Sequence, residues 1–359
     1  MAGHFSSLLA AAPPGAARIP VTVLTGFLGS GKTTLLNRML RQADLRGLAV
    51  IVNEFGQIGI DQDLIAHASE DTILLSNGCL CCAMRGDLAD ALNRLGQQQG
   101  AESAQPQRVL IETSGLADPG PILRTLLGDP AVRRRFFLAG VACTVDSVLG
   151  MGTLDRYPES VRQVAVAEHL FLTKTDLPGG APAAALLERL HGINAGANLH
   201  TQHQAQSTAL HQLVQTAPER GAAAESPFFY QAWAAPVPEA APQHRDGISS
   251  FVLTRDTPLP REAFLAWLDM VIAMRGEDLL RVKGIVQLAE QPDQPLVIHG
   301  VQHLFQPPEY LPCWPGPDRR TRIVFITRGV DAQALDQTLD VLVRRHSRRS
   351  RASPPSPTL

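Results

Sequence analysis

The sequence predicts an α/β fold, a mostly parallel three-layer sheet built around a phosphate-binding loop, followed by a smaller C-terminal α+β domain. Three observations predict it. Apolar strand-like runs recur at 21–24, 48–52, 72–75, 109–111, 140–145 and 169–172, with helix-like stretches between them. Strands alternating with helices imply parallel pairing with helices on both faces. The segment Gly26-Phe27-Leu28-Gly29-Ser30-Gly31-Lys32-Thr33 fits G-x-x-x-x-G-K-[ST] and stands between the first of those runs and a helix-like run from Thr34. Finally, 359 residues at 45% hydrophobic exceed the roughly 250–300 residues at which a single core stops growing, so a second domain is expected.

In chain order, residues 1–18 read as a disordered leader. They hold a short apolar stretch with no basic residue ahead of it, interrupted by Pro13-Pro14-Gly15, which argues against a secretory signal. Residues 19–215 read as the sheet domain. From 216 to 246 the composition shifts to Ala, Pro, Glu and Gln without periodicity, the character of a linker. The second domain spans 247–343, with strands expected at 248–253, 280–288, 295–301 and 321–327 and helices at 261–274 and 332–343. Residues 344–359 read as a solvated, basic, disordered tail with five arginines and no acid. Net charge is −2, and without that tail the body is more acidic still, so no nucleic-acid footprint is expected. No apolar run of about eighteen residues occurs, so no membrane span is expected and the setting reads as cytoplasmic.

The phosphate loop carries the first chemistry. Gly26, Gly29 and Gly31 let the backbone curl so that N–H groups, including those of Ser30 and Thr34, face phosphate oxygens. Lys32 supplies a positive charge toward the β and γ groups, and the Thr33 hydroxyl suits Mg²⁺. Downstream, Arg108-Val109-Leu110-Ile111 leads into Glu112-Thr113-Ser114-Gly115. An acid at that strand end can act on Mg²⁺ or its bound water, and the Gly115 N–H is placed to sense the γ-phosphate.

Thr173-Lys174-Thr175-Asp176 follows the run 169–172, where a guanine-reading N-K-x-D element belongs. The Asp176 carboxylate can accept the ring N1–H and exocyclic amine of guanine, which adenine cannot offer, and the Lys174 stem can lie against the base. GTP is therefore expected over ATP, and polar readout of this kind discriminates by roughly 10⁴-fold. Thr173 stands where Asn is usual, and its hydroxyl can still bridge backbone groups. The residue after Gly115 is Leu116, so the Gln that positions attacking water in Ras-type switches is missing and intrinsic hydrolysis should be slow.

Five cysteines are present, three of them in Cys79-Leu80-Cys81-Cys82. Three thiolates suit a soft divalent ion with a fourth position open, and adjacent Cys81 and Cys82 converge only in a turn, which Gly78 favours. A redox pairing of Cys79 with Cys82 fits the spacing as well. Cys143 reads as a core thiol and Cys313 as a loop residue.

With Asn53-Glu54-Phe55-Gly56-Gln57-Ile58-Gly59-Ile60-Asp61, Ser76-Asn77-Gly78 before the cysteines and Glu112-Thr113-Ser114-Gly115-Leu116-Ala117-Asp118-Pro119, the chain resembles the CobW-like family of P-loop GTPases. Arg281-Val282-Lys283-Gly284 and His299-Gly300-Val301-Gln302-His303 extend the resemblance into the second domain. The resemblance implies a P-loop GTPase sheet and a GTP-dependent metallochaperone that hydrolyses GTP slowly and delivers Zn²⁺ to a client metalloprotein. It places the switch acid at Glu54, the Mg²⁺-side acid at Glu112 and zinc at Cys79, Cys81 and Cys82, so that with Lys32 of the phosphate loop the catalytic candidates are Lys32, Glu54 and Glu112. Gln57 departs from the Glu common in the family, which removes a possible carboxylate ligand.

A regulatory GTP switch acting through protein contacts, and delivery of Co²⁺ or Fe²⁺ for cobalamin synthesis or a nitrile hydratase-type enzyme, stand beside that expectation. His299 and His303 fall in a strand-like run, where four residues span about 13 Å at roughly 3.3 Å each, too far for one ion. His191, His200, His203 and His211 read as solvated. The sequence does not indicate an oligomeric state.

Overall fold

The computed structural model describes residues 5–6, 18–42, 47–52, 73–76, 86–97, 106–201, 203–215 and 247–352. The chain divides into two compact units, Pro14–Ala235 and a second formed by Pro236–Leu359 together with Met1–Pro13.

In the first unit seven strands make one sheet. They are β1 (Ile19–Gly26), β2 (Leu48–Val52), β3 (Ile73–Ser76), β4 (Arg108–Glu112), β5 (Phe136–Asp146), β6 (His169–Thr173) and β7 (Asn198–His200). The order is β3-β2-β4-β1-β5-β6-β7, and every pairing is parallel. All six expected runs are strands, and the near-continuous burial of β1, β2, β4, β5 and β6 is what a sheet covered on both faces demands. Helix α1 (Lys32–Gln42) carries Leu35, Leu36 and Met39 into a core with Leu24, Leu48, Val50, Leu110 and Phe171. Helix α2 covers Gly86–Gln97, α3 Gly120–Gly128, α4 Pro130–Arg135, α5 Gly150–Arg156, α6 Pro158–Val166, α7 Ala184–Ile193 and α8 His203–Gln215. Leu210 and Leu213 of α8 join the same core as α1.

The register brings four strand ends to one rim. Leu24 lies opposite Glu112, Gly26 opposite Thr144, and Asp146 opposite Thr173. Parallel strands place these carboxyl ends side by side, which is where ligands bind in open α/β sheets.

The second unit is an antiparallel sheet ordered β11-β10-β9-β13-β8, from β8 (Ile248–Arg255), β9 (Leu279–Leu288), β10 (Gln291–Val301), β11 (Leu304–Phe305) and β13 (Thr321–Arg328), with β12 (Glu309–Tyr310) on β10. Helices α9 (Arg261–Arg275) and α10 (Ala332–Ala352) pack with it. The Trp267 indole N–H donates to Thr338 Oγ1 at 3.1 Å and so ties α9 to α10.

Two terminal expectations change. Phe5, in the expected leader, is fully buried in the core of this second unit with Phe264, Trp267 and Phe325. Its ring meets Phe305 edge-on at 5.4 Å, its N–H donates to Asp269 Oδ1 at 2.7 Å, and the Ser6 hydroxyl donates to Asp269 Oδ2. A large aromatic ring with a buried pocket available is worth ordering. The tail differs too, since α10 runs to Ala352 instead of ending near Val343. Arginine is a good helix former, cations suit a helix C-terminus, and the Asp340–Arg344 pair at 3.9 Å spans one turn. The expected linker, 216–246, lies outside the described residues. No helix among the described residues is long and apolar enough to cross a membrane.

Candidate nucleotide site

β1 runs directly into the phosphate loop. Gly26, Gly29 and Gly31 hold φ of +142°, +72° and +90°. At Gly26 a Cβ would fall 2.3 Å from Thr144 Oγ1 and 2.6 Å from Thr144 O, so only glycine fits between β1 and β5. Ser30 Oγ lies 2.6 Å from Thr144 Oγ1, which pins the loop to the same strand. The Lys32 ammonium donates to the Gly26 carbonyl at 3.1 Å and to that of Phe27 at 3.4 Å, so it sits within the curl of the loop. Thr34 is exposed on the first turn of α1.

The structure brings Thr33 and Glu112 together. The Thr33 hydroxyl donates to Glu112 Oε1 at 2.7 Å, and Glu112 is fully buried at the end of β4. Two oxygen donors side by side at the foot of a phosphate loop match what Mg²⁺ takes, one or two protein oxygens beside waters and phosphates. After Glu112, the Thr113 N–H donates to Leu24 O at 2.9 Å and its hydroxyl to Thr25 Oγ1 at 2.9 Å. Gly115 then lies against the loop itself, where a Cβ would fall 2.5 Å from Leu28 Cα and 2.6 Å from Leu28 N.

On the other side, Thr173 reaches the phosphate loop from β6. Its hydroxyl donates to the Ser30 carbonyl at 2.6 Å, the backbone bridge expected of the residue that replaces Asn. Ser147 holds the Thr173 carbonyl with both its hydroxyl, at 2.7 Å, and its N–H, at 3.1 Å. Lys174 adopts φ +59°, and its ammonium meets Asp146 Oδ2 at 2.5 Å. Burial opposes charge on Asp146, but the Lys174 ammonium and the N–H groups of Leu149 and Val148 outweigh it and hold its carboxyl below the usual range. Asp176 is exposed beyond this turn.

Glu54, Gln57 and the rest of 53–61, and Cys79, Cys81 and Cys82, lie outside the described residues. Among the described residues no group of three or more His, Cys, Asp or Glu could hold a metal ion. Cys143 is buried, and burial pushes its thiol up to about 12 against the opposing charge of Lys32, while Cys313 is exposed. His299 lies in β10, but His303 sits with Gln302 in the two-residue turn before β11. Burial, with Lys283 and Arg281 nearby, holds His299 well below the ordinary imidazole range. His191 is exposed as expected. His200 is not solvated: it stacks on Phe171 at 4.7 Å, and its Nε2 lies 2.9 Å from His169 Nδ1.

The structure adds Thr144, Asp146, Ser147 and Gln163 to the residues around the loop. Asp146 ends an apolar strand-like run, as Glu112 does, and that signal was available in the sequence. Gln163 gave none, because a polar residue within a helical stretch reads as solvent-facing.

Comparison with known proteins agrees with this arrangement. Residues 20–201 match the family described as CobW/HypB/UreG, nucleotide-binding domain, and residues 248–343 match the cobalamin synthesis protein cobW C-terminal domain. A relative named zinc chaperone YjiA, from Escherichia coli strain K12, is 34% identical over 290 residues, covering 80% of this chain and 87% of that protein. Zinc-regulated GTPase metalloprotein activator 1 of Schizosaccharomyces pombe is 32% identical over 188 residues, 50% of this chain and 45% of its own. The crystal structure of Zn(II)-bound YjiA GTPase from E. coli superposes with a TM-score of 0.62 at 26% identity, over 91% of this chain and 99% of that one. Matches that run through both compact units therefore establish this chain as a member of the CobW/HypB/UreG family, bearing a CobW C-terminal domain.

Proposed function

We propose that this protein is a GTP-dependent metallochaperone, a slow GTPase that takes up Zn²⁺ through Cys79, Cys81 and Cys82 and passes it to a client metalloprotein. The 2.7 Å contact between Thr33 and Glu112 beneath the glycine loop carries the nucleotide half. The metal half rests on the Cys79-Leu80-Cys81-Cys82 segment and on relatives named as zinc chaperones. Reduced thiols on such a site suit a cytoplasmic setting.

In this reading Gly26, Gly29, Ser30, Gly31 and Thr34 cradle the phosphates, and Lys32 turns from the loop carbonyls to the β and γ oxygens. Thr33 and Glu112 would hold Mg²⁺, which when bound supplies positive charge against the phosphate oxygens. Gly115 senses the γ-phosphate from its position against Leu28. Thr173 keeps the base-reading turn in register with the loop, Lys174 flanks the base, and Asp176 reads guanine. Glu54 is the switch acid. Zn²⁺ is cargo, and the open fourth position of a three-thiolate set admits a client's ligand.

The test compares zinc affinity of the wild type and a Cys79→Ser, Cys81→Ser, Cys82→Ser variant, each with and without a non-hydrolysable GTP analogue. Tight binding should need the cysteines, and the analogue should shift it by roughly 5–150-fold, with zinc shifting analogue affinity by the same factor. Zinc binding that survives the triple substitution unchanged would remove the chaperone reading and leave a GTPase.

A further inference from the structure

Helix α6 meets the nucleotide site at two places. Tyr157, at its N-cap, stacks on Phe27 of the phosphate loop with ring centroids 4.5 Å apart. One turn and more along, Arg162 and Gln163 reach the chain that follows Glu112. Arg162 Nη1 donates to Asp118 Oδ2 at 3.3 Å, and Asp118 in turn accepts the Gly120 N–H at 2.8 Å at the start of α3. Gln163 Nε2 donates to two carbonyls of the same turn, Gly115 at 3.2 Å and Ala117 at 3.0 Å. Two carbonyl acceptors fix the amide's orientation, since Oε1 could take nothing from either.

Gln163 is fully buried, and its Oε1 has no hydrogen-bond partner among the described residues. It also lines a cavity of about 190 Å³ shared with Phe27, Leu28 and Gly29. Burying an amide with an unused acceptor is unfavourable, and an apolar side chain of similar size would fill the same space without that cost. Packing therefore does not account for a glutamine here. Its two donor contacts do, and both go to the turn whose glycine is pressed against Leu28 of the phosphate loop.

We infer that Gln163 is a positioning residue for GTP hydrolysis, bracing the Gly115–Ala117 turn from behind so that the Gly115 N–H stands where a γ-phosphate must meet it. The inference rests on the GTPase reading above. In a chain whose residue after Gly115 is Leu116, this amide from α6 supplies order to the turn without touching the reacting atoms. Displacement of a catalytic element by about 1 Å can cost on the order of 10²-fold in rate.

Two variants test it by single-turnover GTP hydrolysis, GDP affinity and thermal melting. Q163M keeps the bulk and removes both donors. It should hydrolyse GTP roughly 10–100-fold more slowly while GDP affinity stays within about 2-fold. Q163E places a carboxylate against two carbonyls at neutral pH, and burial raises its pKa, so protonation on acidification restores one donor. Its rate relative to wild type at the same pH should therefore rise as pH falls, a recovery that a merely structural role would not give. A folded Q163M at wild-type rate, or a Q163E ratio flat with pH, overturns the inference. Should Q163M fail to fold, the Q163E ratio decides alone. A wild type that hydrolyses no GTP would sink the proposed function and this inference together, whereas a hydrolysing wild type matched by Q163M would sink the inference only.

Discussion

Thr173 shows what a single hydroxyl does at the rim of the sheet. It joins the end of β6 to the phosphate loop through the Ser30 carbonyl at 2.6 Å and is itself almost wholly buried. Thr173→Val keeps the shape, loses that donor and leaves a carbonyl deprived of it, so it should destabilise the first unit by about 1–3 kcal/mol. GDP affinity should fall with it. Urea denaturation and nucleotide titration check both, and a variant as stable and as tight as wild type would remove the bridge's importance. Asp146 makes a prediction about acid. Its folded pKa lies below its unfolded one, so its stabilisation is complete above the ordinary carboxylate range and fades as pH falls through the depressed value. The stability gap between wild type and Asp146→Asn should therefore be widest near neutrality and close below about pH 4. A gap that widens toward acid would contradict the assignment. The part of this network written in the motif, Gly26 to Thr34, Glu112 and Thr173 to Asp176, was legible because its spacing encodes backbone geometry. Gln163 was illegible because its two hydrogen bonds go to carbonyls 46 and 48 residues away.

Strands declared themselves more clearly than chain ends. A parallel strand buried on both faces reads as a continuous apolar run, and β1, β4, β5 and β6 each did so. Phe5 is a lone aromatic in a stretch with no period, and no local pattern marks a residue whose partners come from another part of the sequence. Its burial with Phe305, and the two contacts to Asp269, make it a component of the second sheet's core. Phe5→Ala should cost roughly 3–5 kcal/mol of that unit's stability, the range for truncating a buried Phe. Urea unfolding followed by the fluorescence of Trp267, in the same core, would measure it. A loss under about 1 kcal/mol would show that the pocket closes without the ring. Helix α10 outruns its apolar pattern for a related reason: its last turns carry arginines and no apolar stripe, so nothing periodic marks them, yet arginine forms helix well and its charge suits a helix C-terminus.

Across the molecule, two units and their order could be read from length, composition and the restart of strand-like runs after 246, and the family matches divide at nearly the same places. The sequence could not reveal that residues from before the first sheet belong to the second. Phe5 and Asp269 stand 264 residues apart. During translation at about 5–20 residues per second, the aromatic side chain leaves the ribosome tens of seconds before its hydrophobic berth has been synthesised. Until then the ring is without its native pocket, and its capture reports that the polypeptide has been made through α9 and β11.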